Sequence, residues 1–379
     1  QVLATQPVNA GTLAGDLILS GGGDPTLNTD SLGDIVAALS RSGLQRVTGR
    51  FLVYANALPA FTRISNDLPV EAGYDPGLSG LSLNYNRVNL EWTKGGATAR
   101  MTSPGVHYLP EVHGIKVSVV DRETPVFTYS DQGTEHWTVS RDAMKKEGTR
   151  WLPVRHVAPY VAEVFATLCA TQGISLPPPQ MIDTLPPVTP LISWPSARLS
   201  PILREMLKYS TNITAETLGL AASGAPSLPE SALAMQAWAG ETLGLSASFV
   251  DHSGLGAASR VTAQGMMQAI MAGEKRASGA GLRALLKEVS LKDEKGAPQI
   301  DGPVKIHAKT GTLNFVSGLA GFMTQPSGRD LAFAIFSADP ARREAVPVAQ
   351  REKPPGQKAW VGRARVLQNG LLRQWASLA

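Results

Sequence analysis

Two tripeptides carry the residue types of a serine acyl-transfer site. The chain has S-T-N at 210–212, between two helix-like segments, and K-T-G at 309–311, after an alternating strand-like segment. In a site of this kind no histidine acts as base, and neighbouring cations must lower the pKa of an amine until it takes the serine proton. Lys309 would be one such cation, Ser210 a hydroxyl relay toward the leaving amine, and Asn212 a hydrogen-bonding group for a lysine and a substrate amide.

The residues after Lys309 would bind the substrate. The hydroxyls of Thr310 and Thr312 would hold a terminal carboxylate, and the strand edge after Gly311 would donate a backbone N–H to the oxyanion. Gly311 suits this place because a side chain would block the approach of the backbone. Each tripeptide also has an ordinary explanation, since S-T-N could cap two helices and a strand lysine is normally solvated. The prediction therefore depends on the placement of both.

The nucleophile of this chemistry is missing from the chain. It would be a serine three positions before a lysine, S-x-x-K, and no serine in residues 1–379 has a lysine at that spacing. The sequence therefore indicates a reaction and lacks the residue that performs it.

The composition is that of an ordinary globular chain. Its 379 residues predict two domains, or three, and the balance of 43% hydrophobic to 17% charged residues excludes a disordered or fibrous protein. No apolar run is long enough for a transmembrane helix. The net charge of +4 is mild and the basic residues are scattered, so we expect no nucleic-acid binding. A weak positive field suits an anionic small substrate or an acidic polymer such as a cell wall.

The sequence predicts neither a metal site nor a cofactor. The six histidines form no H-E-x-x-H pattern. Cys169 is the single cysteine and lies in an apolar helix-like run, so we expect a small buried side chain. The D-H-S run at 251–253 contains the residue types of a catalytic triad, but three consecutive residues cannot line up as acid, base and nucleophile. It is predicted to be a turn.

The first half of the chain is predicted to be mainly β. Gly, Pro and Asn residues separate strands that we expect at 16–19, 46–54, 81–92, 97–103, 115–121 and 133–140, with helices at 31–42 and 157–171. Prolines at 177–179 and 186–187 predict a stiff connector. We therefore predict a domain boundary near 190, between residues 1–190 and 191–379.

The second half is predicted to be helical and then antiparallel β. We expect helices from the N-cap Ser200, at 212–222, from Ser227, and at 262–272, 279–288 and 361–377. Apolar and polar residues alternate over 304–309, which predicts a half-buried strand that ends at Lys309. Strands at 316–324 and 330–337 would form a hairpin through a turn at 325–328, and the charged, Pro-rich segment 339–357 is predicted to be a surface loop.

Four stretches of the sequence resemble one known family. They occur in the family's order across most of the chain and are GDLILSGGGDPTL, PSARLSPILREMLKYSTNITAETL, VDHSGLGAASRVTAQGMM and VKIHAKTGTLNFVSGLAGF. In these stretches the chain resembles the D-alanyl-D-alanine carboxypeptidase/endopeptidases, the class C low-molecular-mass penicillin-binding proteins of peptidase family S13. The resemblance implies an α+β fold, in which 191–379 belong to a serine-β-lactamase/transpeptidase-like α/β/α sandwich with an antiparallel sheet. Residues 1–190 would be one or two mainly β inserted domains.

The resemblance also indicates where the nucleophile belongs. In the family it lies in an N-terminal helix before the inserted domains, so S-x-x-K is expected upstream of Gln1 and residues 1–379 are expected to be inactive alone. Two features depart from the family pattern. Thr211 stands where the family often has Asp, and Asn84 and Asn86 are the polar residues of the strand in which some members carry an acidic residue for an amino group of the substrate.

The function implied by the resemblance is a serine-type D-Ala-D-Ala carboxypeptidase or endopeptidase of the periplasm or the outer side of the cell envelope. It would cleave peptidoglycan stem peptides through an acyl-enzyme, with β-lactams as covalent inhibitors. An alternative is a penicillin-binding-protein-like module without a nucleophile, which binds cell wall or serves as a scaffold. An esterase or β-lactamase on the same fold is a weaker third reading. The sequence does not separate carboxypeptidase from endopeptidase action and leaves the oligomeric state open.

Overall fold

The computed structural model describes residues 1–276, 281–293, 297–299 and 302–378. The chain forms two compact units, one of Gln1–Ala197 with Ile213–Leu228 and the other of Arg198–Asn212 with Pro229–Ala379.

The described residues contain helices and strands throughout. The α-helices are α1 Thr29–Arg41, α2 Val157–Thr171, α3 Leu199–Tyr209, α4 Asn212–Ser223, α5 Leu228–Leu243, α6 Ala263–Arg276, α7 Pro340–Glu344 and α8 Gln357–Ala376. The β-strands are β1 Val2–Ala4, β2 Thr12–Leu13, β3 Leu17–Ser20, β4 Arg46–Val47, β5 Phe51–Tyr54, β6 Arg87–Trp92, β7 Ala99–Thr102, β8 Glu111–Val112, β9 Ile115–Val120, β10 Phe127–Asp131, β11 Glu135–Ser140, β12 Gly148–Pro153, β13 Pro179–Ile182, β14 Thr189–Ile192, β15 Ala247–Ser248, β16 Arg260–Val261, β17 Lys287–Glu288, β18 Lys305–Leu313, β19 Val316–Thr324 and β20 Asp330–Ala338.

The first unit is built around a five-stranded sheet with the order β13-β5-β3-β1-β14. Helix α1 begins after Asn28, whose side chain accepts a hydrogen bond from the N–H of Ser31, and it buries Leu32, Val36 and Leu39. Helix α2 has the bounds that the sequence predicts and is buried along most of its length. Side chains of both helices and of the sheet share one continuous apolar core.

Part of the proline-rich stretch predicted as a connector belongs to this sheet, so the prediction is wrong for that part. Pro179 begins β13, while residues 177–178 and 186–187 lie outside the strands. Strand β13 pairs with β5, and β14 pairs with β1. These two strands are the two edges of the sheet. Proline cannot donate a hydrogen bond to a neighbouring strand, but an edge strand needs donors on one side only. Pro179 in β13 and Pro190 in β14 are therefore compatible with these edge positions.

Three smaller sheets complete the first unit, with the orders β10-β11-β9, β12-β6-β7-β8 and β2-β4. Of their strands, β2, β8, β10 and β12 were not predicted. The strand predicted over 81–92 begins only at Arg87, because residues 84–86 form a tight helical turn with positive φ angles of 50°, 55° and 53°. The strand predicted over 46–54 is interrupted at Gly49, where a β-carbon would lie 2.3 Å from the carbonyl oxygen of Gly15.

The second unit contains an antiparallel sheet with the order β17-β18-β19-β20. The predicted hairpin is confirmed, since β19 and β20 are joined by a turn in which Gly328 N–H donates to the carbonyl of Gln325 at 2.9 Å. The strand predicted to end at Lys309 continues to Leu313, because β18 pairs residue by residue with β19 up to Leu313 and Val316. Helix α8 packs on one face of the sheet, with Leu372 in its apolar core.

Other expectations for the second unit need correction. Helix α3 begins one residue before Ser200 and has Arg198 as its N-cap, so Ser200 does not cap it. Of the helix predicted at 279–288, residues 279–280 lie outside the described residues, 283–285 form one short 3₁₀ turn, and 287–288 form strand β17. The segment 339–357 includes helix α7, and the closing helix begins at Gln357 rather than at 361.

Candidate active site

Strand β18 presents the K-T-G tripeptide on the sheet of the second unit. Ile306 and Ala308 point into the apolar core, so Lys309 lies on the opposite face by strand alternation. Strand β17 pairs only with His307 and Ala308. In the part of the chain that the structure describes, residues 309–313 of β18 therefore have an open edge on that side.

The hydrogen-bonding pattern of β18 shows which backbone N–H groups lie at this open edge. The carbonyl of Ile306 accepts from the N–H of Val289, beyond β17, so Ile306 directs its backbone groups away from β19. In an antiparallel ladder every second residue faces the same neighbour, so the backbone groups of Thr310 and Thr312 also face away from β19. Their N–H groups lie at the open edge and are free of the ladder to β19.

Ser210 lies where α3 ends. Its backbone has φ +56° and ψ +48°, the left-handed conformation that commonly ends a helix, and its N–H donates to the carbonyl of Met206. The N–H of Thr211 donates to the same carbonyl at 3.3 Å. Helix α4 begins at Asn212, so Ser210 occupies the corner between two helices.

The structure brings the two predicted tripeptides together. Lys309 Nζ donates a hydrogen bond to Ser210 Oγ at 2.5 Å, although the residues are 99 positions apart in the chain. The same Nζ also donates to the backbone carbonyl of Thr310. The Ser210 hydroxyl and the Thr310 carbonyl therefore lie on either side of one amine.

Lys309 is half-buried at this position, and burial lowers the pKa of its amine below the ordinary lysine value. No ion pair of Lys309 occurs among residues 1–276, 281–293, 297–299 and 302–378. The amine is therefore held by neutral oxygens and gives up its proton more readily than a solvated lysine does.

The predicted binding residues are open to solvent. Thr310, Gly311 and Thr312 are exposed, and Asn212 is half-buried at the first position of α4. A β-carbon built on Gly311 meets no atom within 4 Å. The packing of the described residues thus does not require glycine there, and the backbone at Gly311 is open on that side.

The sequence reasoning missed the turn that holds the end of β18. Asn314 and Phe315 join β18 to β19, and Phe315 is 1% exposed although its φ is +54°. Its ring lies 4.4 Å from the guanidinium carbon of Arg342 and in edge contact with Trp360. Asn314 Nδ2 donates to the carbonyl of Arg351 at 2.6 Å. An asparagine between two alternating strands is the sequence signal that indicates such a turn.

The two asparagines in the first unit serve the fold. Asn84 Nδ2 donates to Thr29 Oγ1 at 2.8 Å, and Asn86 Nδ2 donates to the carbonyl of Gly77 at 2.8 Å. Both side chains are buried. Their hydrogen bonds within the protein stabilise the turn at 84–86, so neither side chain is presented to a ligand.

Two other sequence predictions are confirmed. Cys169 is fully buried, and burial raises the pKa of its thiol. The D-H-S run is a turn in which the Asp251 carboxylate accepts hydrogen bonds from the N–H groups of Gly254 and Gly256. Its histidine instead contacts Ser231 Oγ at 2.7 Å through Nε2.

The hydrogen bond from Lys309 to Ser210 joins the two tripeptides in which the sequence predicts the groups of a serine acyl-transfer site. Residues 1–353 match the sequence model of the D-Ala-D-Ala carboxypeptidase 3 (S13) family, and the chain belongs to this family. The resemblance predicted from the motifs is thereby confirmed.

Solved structures show the same fold. Penicillin binding protein 4 from Haemophilus influenzae is 19% identical and matches with a TM-score of 0.71 over 89% of this chain and 79% of its own. The structure of its complex with a novel beta-lactam is 20% identical and has a TM-score of 0.68; the match covers 89% of this chain and 78% of the other. The Bd0816 predatory endopeptidase from Bdellovibrio bacteriovorus, solved with the immunity protein Bd3460, is 16% identical and has a TM-score of 0.50 over 99% and 80%.

These similarities confirm the predicted fold class, a mixed α/β fold with several sheets and helices. No curated protein matches the chain. Among the described residues, no helix is both long and apolar enough to cross a membrane.

Proposed function

We propose that the chain is the larger part of a serine-type D-Ala-D-Ala carboxypeptidase or endopeptidase that cleaves peptidoglycan stem peptides through an acyl-enzyme. The nucleophile in this proposal is the serine of an S-x-x-K segment outside residues 1–379. Residues 191–379 contribute the transpeptidase-like domain, and residues 1–190 contribute the inserted part. The protein acts in the periplasm or on the outer side of the cell envelope, where its substrate lies.

One observation carries the proposal, the hydrogen bond between Lys309 Nζ and Ser210 Oγ. A hydroxyl in contact with an amine of lowered pKa is suited to pass a proton between the nucleophile and the leaving amine. In its protonated form the amine also stabilises negative charge on a bound carboxylate. Catalytic roles therefore fall to Ser210, Lys309 and, by its place at the start of α4, Asn212.

The open edge of β18 accounts for substrate binding in this proposal. An extended peptide adds to such an edge through backbone hydrogen bonds. The hydroxyls of Thr310 and Thr312 bind the terminal carboxylate, and the backbone N–H at Thr312 stabilises the oxyanion. Gly311 leaves space for the substrate backbone, in agreement with the empty volume around it.

Family membership and fold support the substrate class. The chain belongs to the D-Ala-D-Ala carboxypeptidase 3 (S13) family. Penicillin binding protein 4 from Haemophilus influenzae, which has a similar fold, was solved in complex with a beta-lactam. A β-lactam resembles the acyl donor of such an enzyme, so we expect penicillins to acylate the nucleophile. No cofactor is needed, since proton transfer and acyl transfer are both performed by side chains.

The test is acylation of the full-length protein by a labelled penicillin. We expect one adduct per chain by intact mass, mapped by peptide analysis to the serine of S-x-x-K, together with release of D-Ala from a peptide that ends in D-Ala-D-Ala. Ser210→Ala and Lys309→Met should each slow acylation by roughly 100-fold. Lys305→Met, an exposed lysine of the same strand, is the matched control and should leave the rate unchanged. An unmodified mass together with no D-Ala release would contradict the proposal.

The alternative is a module without a nucleophile that binds cell wall or partners. It is favoured by the absence of S-x-x-K from residues 1–379. The full coding sequence separates the two, because the enzyme requires that motif and the module does not. A protein that sediments with purified peptidoglycan, takes up no penicillin and contains no S-x-x-K would establish the module.

A further inference from the structure

Ser210 and Lys309 form a hydrogen-bonded serine–lysine pair. The hydroxyl of Ser210 is exposed, while the amine beside it is half-buried. A serine whose oxygen lies 2.5 Å from a lysine amine has its base already in place. Ser–Lys pairs are one of the recurring arrangements of serine catalysis, and they are recognised by geometry rather than by sequence position.

The surroundings of Lys309 favour the form that can act as a base. A carboxylate partner would favour the protonated form of a lysine. In the described part of the chain, the Lys309 amine has hydrogen bonds to the Ser210 hydroxyl and the Thr310 carbonyl and no ion pair with a carboxylate. Burial also lowers the pKa of the amine. When the amine is neutral, the same short contact reverses its direction, and the Ser210 hydroxyl donates to Nζ.

The backbone at Ser210 is ordered by hydrogen bonds. The residue has left-handed φ and ψ angles, and its N–H and that of Thr211 are both bonded to the Met206 carbonyl. These bonds order the corner that carries Ser210, and the hydrogen bond with Lys309 Nζ places its Oγ. Backbone N–H groups at the open edge of β18, next to Lys309, are available to an oxyanion.

We propose that Ser210 is itself a nucleophile, with Lys309 as its base, toward activated esters. The neutral amine of Lys309 takes the proton of the Ser210 hydroxyl while Oγ forms a bond to the ester carbonyl carbon. The bond from that carbon to the aryl oxygen then breaks, and the aryloxide leaves with the electron pair. Lys309 holds the proton and passes it to solvent, and the product is an acyl ester on Ser210.

This activity does not depend on the S-x-x-K serine or on the function proposed above. It requires only groups of the second unit, all within residues 1–379. The substrate class is an aryl ester with a good leaving group, since the pair lacks the further groups that would protonate a poor leaving amine. The two proposals place the acyl group on different serines, so each can fail without the other.

The test treats residues 1–379 with p-nitrophenyl acetate, quenches in acid and maps the acetyl group by peptide mass analysis. We expect acetylation at Ser210, complete loss of that label in Ser210→Ala, and a rate that rises with pH to a plateau below the usual lysine range. Lys309→Met should slow labelling of Ser210 by roughly 100-fold. Lys309→Arg, which keeps a positive charge but stays protonated, should be equally slow.

Two matched controls use the same elements. Ser200→Ala removes an exposed serine of α3, and Lys305→Met removes an exposed lysine of β18; both should leave the rate at Ser210 unchanged. Circular dichroism of every variant establishes that it is folded. Label on Lys309 instead of Ser210, or an undiminished rate at Ser210 in Lys309→Arg, would overturn the proposal.

Discussion

The turn between β18 and β19 offers a direct test of how the K-T-G strand is held. Phe315 has a left-handed backbone, which is unfavourable for a residue with a β-carbon, and yet its ring is 1% exposed. A glycine would fit the backbone better but would lose the contacts with Arg342 and Trp360. We therefore predict the free energies of unfolding of Phe315→Ala and Phe315→Gly.

The magnitudes follow from burial and backbone geometry. Removing a buried phenylalanine ring costs about 3–5 kcal/mol. Alanine keeps the left-handed strain at position 315, whereas glycine is free of it, a difference of about 1–2 kcal/mol. We expect both variants to be destabilised, with Phe315→Gly about 1 kcal/mol more stable than Phe315→Ala.

Urea unfolding followed by circular dichroism measures both variants. The matched control is Phe333, which is 4% exposed in the middle of β20. In a strand, glycine lowers the stability of the protein by about 0.5–1 kcal/mol relative to alanine. At position 333 we therefore expect the Ala variant to be more stable than the Gly variant, the reverse of the order at 315. If alanine is the more stable replacement at both positions, the reasoning about the turn is refuted.

Three further predictions concern buried or partly buried groups. Burial lowers the pKa of Lys309 in the folded protein below its value in the unfolded chain, so between these two pKa values the unfolded chain binds more protons. The free energy of unfolding therefore rises with pH in this range. Lys309→Met should flatten the rise, as measured by urea midpoints from pH 7 to 11. Arg63 forms an ion pair with Asp75, whose side chain is fully buried. Arg63→Met should therefore lower the free energy of unfolding by about 3–5 kcal/mol. An unchanged urea midpoint would show that this ion pair is not needed for stability. The thiol of Cys169 is buried, and burial raises its pKa, so a thiol reagent should not modify it in the native protein. In urea the same reagent should react fully. Modification of the native protein would contradict the position of Cys169 in the core.

Local patterns predicted the elements that local forces stabilise. Helix α2 and strands β19 and β20 were located to within a residue, because their apolar periodicity agrees with the way their side chains are buried. The strands at 179–182 and 189–192 were missed for the opposite reason. Their composition is that of a linker, and only pairing with distant β5 and β1 makes them strands.

The turn at residues 84–86 is another feature that the local sequence did not predict. Asparagine adopts the left-handed conformation more readily than most residues, but three such residues in a row are unfavourable. The hydrogen bonds of Asn84 with Thr29 and of Asn86 with Gly77 stabilise them. The family resemblance identified these asparagines as polar groups of interest. Only their buried partners show that they stabilise the fold.

For the candidate site, the sequence by itself determined the residue types and the family. S-T-N, K-T-G and their neighbours are chemical groups in chain order, and order is enough to recognise a family. The contact between Ser210 and Lys309 was decided by the tertiary structure, which brings the end of α3 to strand β18. The tertiary structure also decided that Lys309 is partly buried and that β18 has an open edge, since burial and pairing depend on distant segments.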